Sequence, residues 1–560
     1  MKSALTLVDR HRHAVGASLL LTAVVSFVFW PGVHGFWGRD DYMQLAFARM
    51  VGSPWPMFVH DHFFPAPGSV FRPLGFASMW ASTALLGTAY PANAIADLLL
   101  HIGVSLALLG MLRRARIAWP TALLATSIFA LHPAAIGTAL WWSARFDLLA
   151  AGFIFLALAC AVDDRARFRA APLVCTLVAS LAAMLCKETG LMLVPALSLL
   201  WLRWAWMEPT RRRRAGAAVA SIILVGCFYL AWRSIVLGTA TTALAGSVPL
   251  HSLIVKGVWD WAEQAPGYWT FWARLDGIER VALGVGFGVA AAALLAGWTT
   301  RRDDPERASV ADVAIVGACL LLLPALLQSP VAALNGASVS SGVSAVETAM
   351  QARLHYLGIG GIATLLAALL SVGSTNARRS IRVATWAGVA MCVIALGSAS
   401  RGMALAYAER SVAISAVARD AARAVEGLSL SEPPCHVVFI GFEPPLEWGR
   451  YVSMDSIIKA LANDHDRVGR CHFHSNVVTY FNLLANPANA ADALPYRPIE
   501  LAGIPVPWLR IGDMTAEYLQ PPDANAIVDT RRMKFLLYRN GSFDDVSDEV
   551  DSGRFSVSWK

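Results

Sequence analysis

Charge is scarce in this chain of 560 residues: Asp, Glu, Lys and Arg together make up 15% of it, where a soluble protein carries about a quarter. So few ionic groups cannot cover a water-exposed globular surface. The soluble classes are therefore set aside, and the net charge of +7 is not read as a nucleic-acid footprint. Metal-ligand spacing is missing among the eight cysteines. Cys160, Cys175, Cys186, Cys227, Cys319 and Cys392 lie inside apolar runs, as small core residues do. Cys435 and Cys471 lie in polar sequence and could bond if that region is outside the cytoplasm. No repeat of about 20 to 50 residues is visible, nor are two halves with paired broken helices, which weighs against the common transporter plan. A cleavable signal peptide is not expected, because the first apolar run is too long for an h-region and no small-residue cleavage site precedes Asp40.

What the chain has instead is apolar sequence: 56% of its residues are hydrophobic and 20 are Trp. Runs long enough to cross about 30 Å of hydrocarbon fall near 14–36, 93–112, 118–133, 146–162, 171–187, 189–206, 215–237, 278–299, 309–328, 354–372 and 382–399, about eleven spans. Short basic clusters between them mark cytoplasmic loops: Arg113, Arg114 and Arg116; Asp163 to Arg167; Arg211 to Arg214; Arg301, Arg302 and Arg307; Arg378, Arg379 and Arg382. With Lys2, Arg10 and Arg12 also inside, the N-terminus is cytoplasmic. The run 71–88 is then an interfacial helix, since a crossing there would strand the Arg113 cluster on the outer face.

The expected fold class is mainly α, a polytopic transmembrane bundle with juxtamembrane helices in an outer loop (37–92) and a small extracytoplasmic α/β domain. The expected domains are 1–400 and 401–560. In the latter, residues 406–428 have helical spacing, while 436–442, 526–529 and 533–538 read as strands, the last followed by an Asn540-Gly541 turn.

Chemistry-bearing residues collect on the outer face. Asp40 and Asp41 follow the first span directly: one carboxylate can accept an acceptor's proton while the other orients it or holds a metal. The plain alternative is a helix N-cap. Arg145 presents a forked donor suited to phosphate, with Asp147 placed to fix it, or seals two spans. Lys187-Glu188 interrupts a long apolar stretch where charge is costly and lines cavities, and Asp97 and His101, one turn apart on the second span, read the same way or as a contact between helices. His132-Pro133 opens the loop that ends at Asp147. Arg353-Leu354-His355-Tyr356 can hold a lipid phosphate at headgroup level or snorkel. His60-Asp61-His62 is a weak metal motif. Trp259, Trp261, Trp269 and Trp272 in the loop 238–277 are interfacial anchors or sugar platforms.

In order along the chain, Arg39-Asp40-Asp41, Phe71-Arg72-Pro73-Leu74, Asp97 to His101, Leu131-His132-Pro133, Ser143 to Leu149, Cys186 to Gly190 and Arg353 to Leu357 resemble the GT-C superfamily of membrane glycosyltransferases. The likeness is to the protein O-mannosyltransferase type, including its TPR-bearing members, and covers roughly residues 14–400. It implies Asp40 as base with Asp41 its partner, Arg145, Lys187 and Arg353 at the donor phosphate, and Arg72, Asp97, His101, His132, Asp147 and Glu188 in support. It also implies a polyprenyl-phosphate sugar donor and a lipid, glycan or protein acceptor at the outer face of the membrane; the Ala-, Arg- and Trp-rich composition points to a bacterial inner membrane, where the carrier is undecaprenyl phosphate. A divalent metal is a possible cofactor; nucleic acid is not a partner. The chain departs from the pattern in having Asp97 where Asn is usual, Ser-Ala-Arg-Phe-Asp at 143–147, and no TPR periodicity after residue 400. The alternative function is a transporter or flippase for a lipid-linked or anionic substrate.

Overall fold

A computed structural model describes residues 2–59, 70–164, 168–238, 277–299, 307–335, 353–375, 379–430, 435–440, 454–469, 471–475, 499–501, 504–506, 508–511, 514–517, 533–551 and 557–559. Within them the chain is a polytopic helical bundle carrying a small mixed sheet. The opening helices are α1 (Lys2–Phe29), α2 (Asp40–Met50), α3 (Pro73–Leu86), α4 (Tyr90–Arg114), α5 (Trp119–Ala130), α6 (Ile136–Leu140), α7 (Arg145–Asp164), α8 (Ala170–Cys186), α9 (Leu193–Met207) and α10 (Arg212–Leu237). Further helices are Gly277–Thr299, Arg307–Asn335, Tyr356–Thr375 and Arg379–Ile414.

Among the described residues six segments are long and apolar enough to cross a membrane, and α5 with Pro133–Leu140, bent by 57°, makes a seventh if the bent pair is one span. Three shorter apolar helices, Ala170–Cys186, Val310–Pro324 and Tyr356–Ser371, stand where the hydropathy pattern places further spans. The run 71–88 forms the 14-residue helix α3, about 21 Å long and too short to cross on its own. Proline in the first turn starts α3, α4 and α5, where its missing N–H costs nothing. Gly238, at φ 68, ends α10 in the left-handed conformation glycine tolerates.

The connection from α1 to α2 meets the start of α4 and the turn before α7 in a buried aromatic knot. Trp37 packs edge-on against Tyr90 at 5.2 Å and Trp142 at 5.4 Å, and its indole N–H donates to Thr88 O at 3.1 Å. This knot fixes the residues immediately before α2. At the other side of the site, Gly190 lies so close to α8 that a Cβ there would meet the Met184 backbone N at 2.4 Å. Gly190→Ala should therefore push the Glu188–Met192 turn off α8 and cost about 1–3 kcal/mol, read as a lower midpoint in thermal unfolding of the full chain in detergent.

The helix Arg379–Ile414 runs through residue 400 unbroken and is followed by Ala416–Gly427. Beyond it, Cys471–Ser475, Cys435–Ile440, Met533–Arg539 and Ser542–Asp545 form a four-stranded sheet in that order. The first three strands are parallel and the last antiparallel. The hairpin turns at Asn540 (φ 54) and Gly541 (φ 85), a pair of positive φ values that suits the right-handed twist of the strands. Cys435 and Cys471 are disulfide-bonded and are register partners in adjacent strands. The helix Met454–Leu461 lies between these two strands in sequence and buries Met454, Ile457 and Ile458. The expected strand 526–529, the motif His60-Asp61-His62 and most of the Trp-rich loop lie outside the described residues.

Candidate active site

The acidic pair opens α2, where the positive end of the helix dipole favours carboxylates. Its two members are placed differently. Asp41 is fully buried and accepts three hydrogen bonds, from Gly38 N at 3.1 Å, Ser143 N at 2.8 Å and Ser143 Oγ at 2.5 Å. It is a clamp between the aromatic knot and the start of α7. Burial pushes its carboxyl up to about 7, against the lowering effect of those bonds. Asp40 is half-buried, yet its Oδ1 is shielded from solvent and has no hydrogen-bond partner. Burial raises its carboxyl above the ordinary range, while the charges of Arg353 and Arg39 pull it down. The residue before it, Arg39, has φ 50 and ψ −128, a conformation that costs about 1–3 kcal/mol for a side chain with a Cβ. Local strain thus sits next to a carboxylate that has a shielded oxygen without a hydrogen bond.

The other candidate residues form three ion pairs, and these differ from the pairing expected from sequence proximity. Arg145 is held by Asp97 of α4, Nε to Oδ1 at 2.6 Å with both side chains almost fully buried, and not by Asp147. A further bond from Arg145 to Ser78 O at 3.3 Å reaches α3. Lys187 pairs with Asp147, so it does not neutralise its neighbour Glu188, which pairs instead with Arg72 at 2.8 Å. Asp97 and His101 also part company: His101 bonds Tyr356 Oη at 2.7 Å and Ala130 O at 2.9 Å, tying α4 to α5 and to the helix Tyr356–Thr375. His132 accepts from Ala134 N at 3.1 Å through Nδ1, capping the bend after α5.

Arg353 stands apart. Among the described residues it makes no ion pair. Its guanidinium lies 4.1 Å over the Trp141 ring, and burial lowers its affinity for the proton against the raising charges of Asp147 and Asp40. A cation stacked on an indole keeps its in-plane donors free for an oxyanion. The site thus places an underbonded carboxylate near an unpaired guanidinium, with Lys187 and Arg72 adding positive charge nearby. Among the described residues no three His, Cys, Asp or Glu side chains come together to hold a metal ion.

Two features carried no sequence signal. One is Arg49 at the end of α2, which reaches the helix Met454–Leu461. The other is a cavity of about 540 Å³ between the α1–α2 and α3–α4 connections and the C-terminal segment, lined by Phe36, Thr88, Arg419, Arg423, Leu461 and Asn463. Arg419 lies 5.1 Å over the Phe36 ring, four residues before Asp40.

No protein-family model matches the chain, and no curated protein sequence matches it. Among solved structures, ArnT from Cupriavidus metallidurans bound to undecaprenyl phosphate aligns at 14% identity over 81% of this chain and 87% of that one, with a TM-score of 0.43. The same protein in the apo state aligns at 17% identity over 80% and 85%, with a TM-score of 0.37. Similarity of this size leaves the chemistry to be read from the residues of this chain.

Proposed function

We propose that this multi-pass membrane protein is a GT-C-type glycosyltransferase that moves a sugar from a polyprenyl-phosphate donor to an acceptor at the outer face of the membrane. In a bacterial inner membrane the carrier is undecaprenyl phosphate and the face is periplasmic. The observation that carries the reading is the juxtaposition of Asp40, with a shielded and unbonded oxygen, and Arg353, whose charge acts on it. Asp40 takes the proton from the acceptor hydroxyl as its oxygen attacks the anomeric carbon. The bond from that carbon to the phosphate oxygen breaks, and the phosphate leaves with the electron pair, with inversion. Arg353, supported by Lys187 and Arg72, stabilises the charge that develops on the departing phosphate. The cavity beside Phe36 admits the acceptor. The bonded pair Cys435 and Cys471 supports an oxidising compartment for the C-terminal segment, and so the outward placement of the site.

The test is transfer of radiolabelled sugar from polyprenyl-phosphate donors by the full chain in proteoliposomes. Arg353→Gln should weaken donor binding at least tenfold. It should also move the acidic limb of the pH–rate profile upward, because the charge that lowers Asp40 is gone while burial still raises it. An unmoved limb would dissociate the two residues. Absence of transfer with every donor, together with flux of a lipid-linked substrate across the vesicle membrane, would favour a transporter.

A further inference from the structure

We infer that Arg49 is a positioning residue: it locks the far end of α2 to the C-terminal segment and thereby fixes where α2 holds Asp40. The inference rests on the role proposed above for Asp40. Three hydrogen bonds carry it. The two N–H groups of Arg49 Nη1 are shared among Lys459 O at 3.1 Å, Ala460 O at 2.8 Å and Ala462 O at 2.9 Å. These carbonyls belong to the C-terminal end of Met454–Leu461 and the residue just past it, where a helix leaves acceptors without intrahelical partners and carries its negative dipole end. A half-buried cation supplies what that end lacks.

The helix thus grasped is itself anchored to the disulfide-bonded sheet. Asp455 accepts from Phe473 N at 3.2 Å, in the strand that begins at Cys471, and from Lys459 Nζ at 2.7 Å. On the membrane side, α2 is held at its first turn through Asp41 and Ser143. Along its length it is held by Phe47 against Phe76 at 5.8 Å, and just past its end by Trp80 Nε1 donating to Val51 O at 2.9 Å. Asp40 and Arg49 lie at opposite ends of one rigid helix, roughly 14 Å apart along its axis. A shift of either end tilts the whole rod. Displacement of a reacting group by about 1 Å can lower a rate about 10²-fold without touching the chemistry.

The experiment compares wild type, Arg49→Met, Arg49→Lys and Asp40→Asn as full chains in nanodiscs, reading turnover, donor KM and hydrogen exchange of α2 amides. Arg49→Met is expected to lower kcat about ten- to a hundredfold with donor KM within twofold, and to speed exchange in the first turns of α2 as well as in Met454–Leu461. Arg49→Lys should recover most of kcat, because all three carbonyls face a single nitrogen and an ammonium carries three donors. Normal kcat and unchanged α2 exchange in Arg49→Met, with Asp40→Asn inactive, would overturn the positioning role and leave the catalytic reading standing. Full activity of Asp40→Asn would overturn the catalytic reading, and the exchange measurement would still decide whether Arg49 holds α2. Loss confined to donor KM, or no rescue by Lys, would mark Arg49 as structural only.

Discussion

Asp40→Asn is expected to reduce sugar transfer by about 10²–10⁴-fold, the usual range for loss of a general base, while the enzyme still binds its polyprenyl-phosphate donor. The substitution keeps the shape of the side chain and removes only its ability to take a proton. Since Oδ1 has no partner to lose, stability should hardly change. Asp41→Asn should give the opposite pattern. Asp41 accepts from two Ser143 donors and from Gly38 N, and an amide cannot accept with both ends. One buried donor is left unpaired at about 1–3 kcal/mol, so the midpoint of unfolding falls. The pH dependence separates the two further. Folding raises the Asp41 carboxyl to about 7 from about 3.9 in the unfolded chain, so the folded state holds the proton more tightly. The stability linked to it is fully present below about pH 4 and is lost as the pH rises to about 7. In Asp41→Asn that slope disappears. Equal loss of activity in both variants at unchanged stability would remove the distinction between a working acid and a clamp.

The expectation of adjacent acids acting together came from spacing, and spacing could not resolve them. Neighbouring residues at a helix start point in directions set by the helix and by what packs there, and Ser143 lies 102 positions away. Periodicity and charge did locate the helices, because both report on one dimension, the path of the chain through an apolar slab. For the run 71–88 the charge argument spoke against a crossing, and the helix that forms there has 14 residues. Partner choice was not legible. Glu188 follows Lys187, and Asp147 is two residues from Arg145, yet the pairs form across helices. Adjacent side chains diverge, and only the packing of α3, α4, α7 and α8 brings the true partners together. Arg49 was invisible for a related reason: its partners are backbone carbonyls, which no residue type announces.

The pair Arg145 and Asp97 gives the largest expected stability effect. Both side chains are almost fully buried and joined at 2.6 Å, while Nη2 of Arg145 and Oδ2 of Asp97 find no partner. Removing either partner alone, as Arg145→Met or Asp97→Leu, strands a buried charge and should destabilise by about 3–5 kcal/mol. The double variant should recover much of that loss, because two apolar side chains need neither solvation nor each other, and the coupling energy will be large. The same cycle decides what Arg145 does. If it only seals α4 against α7, the double variant regains transfer together with stability, and the donor phosphate is left to Arg353 with Lys187. If its unpartnered Nη2 meets the donor phosphate, the double variant folds yet binds donor weakly. Reading stability and donor affinity on the same four proteins separates a clamp from a ligand.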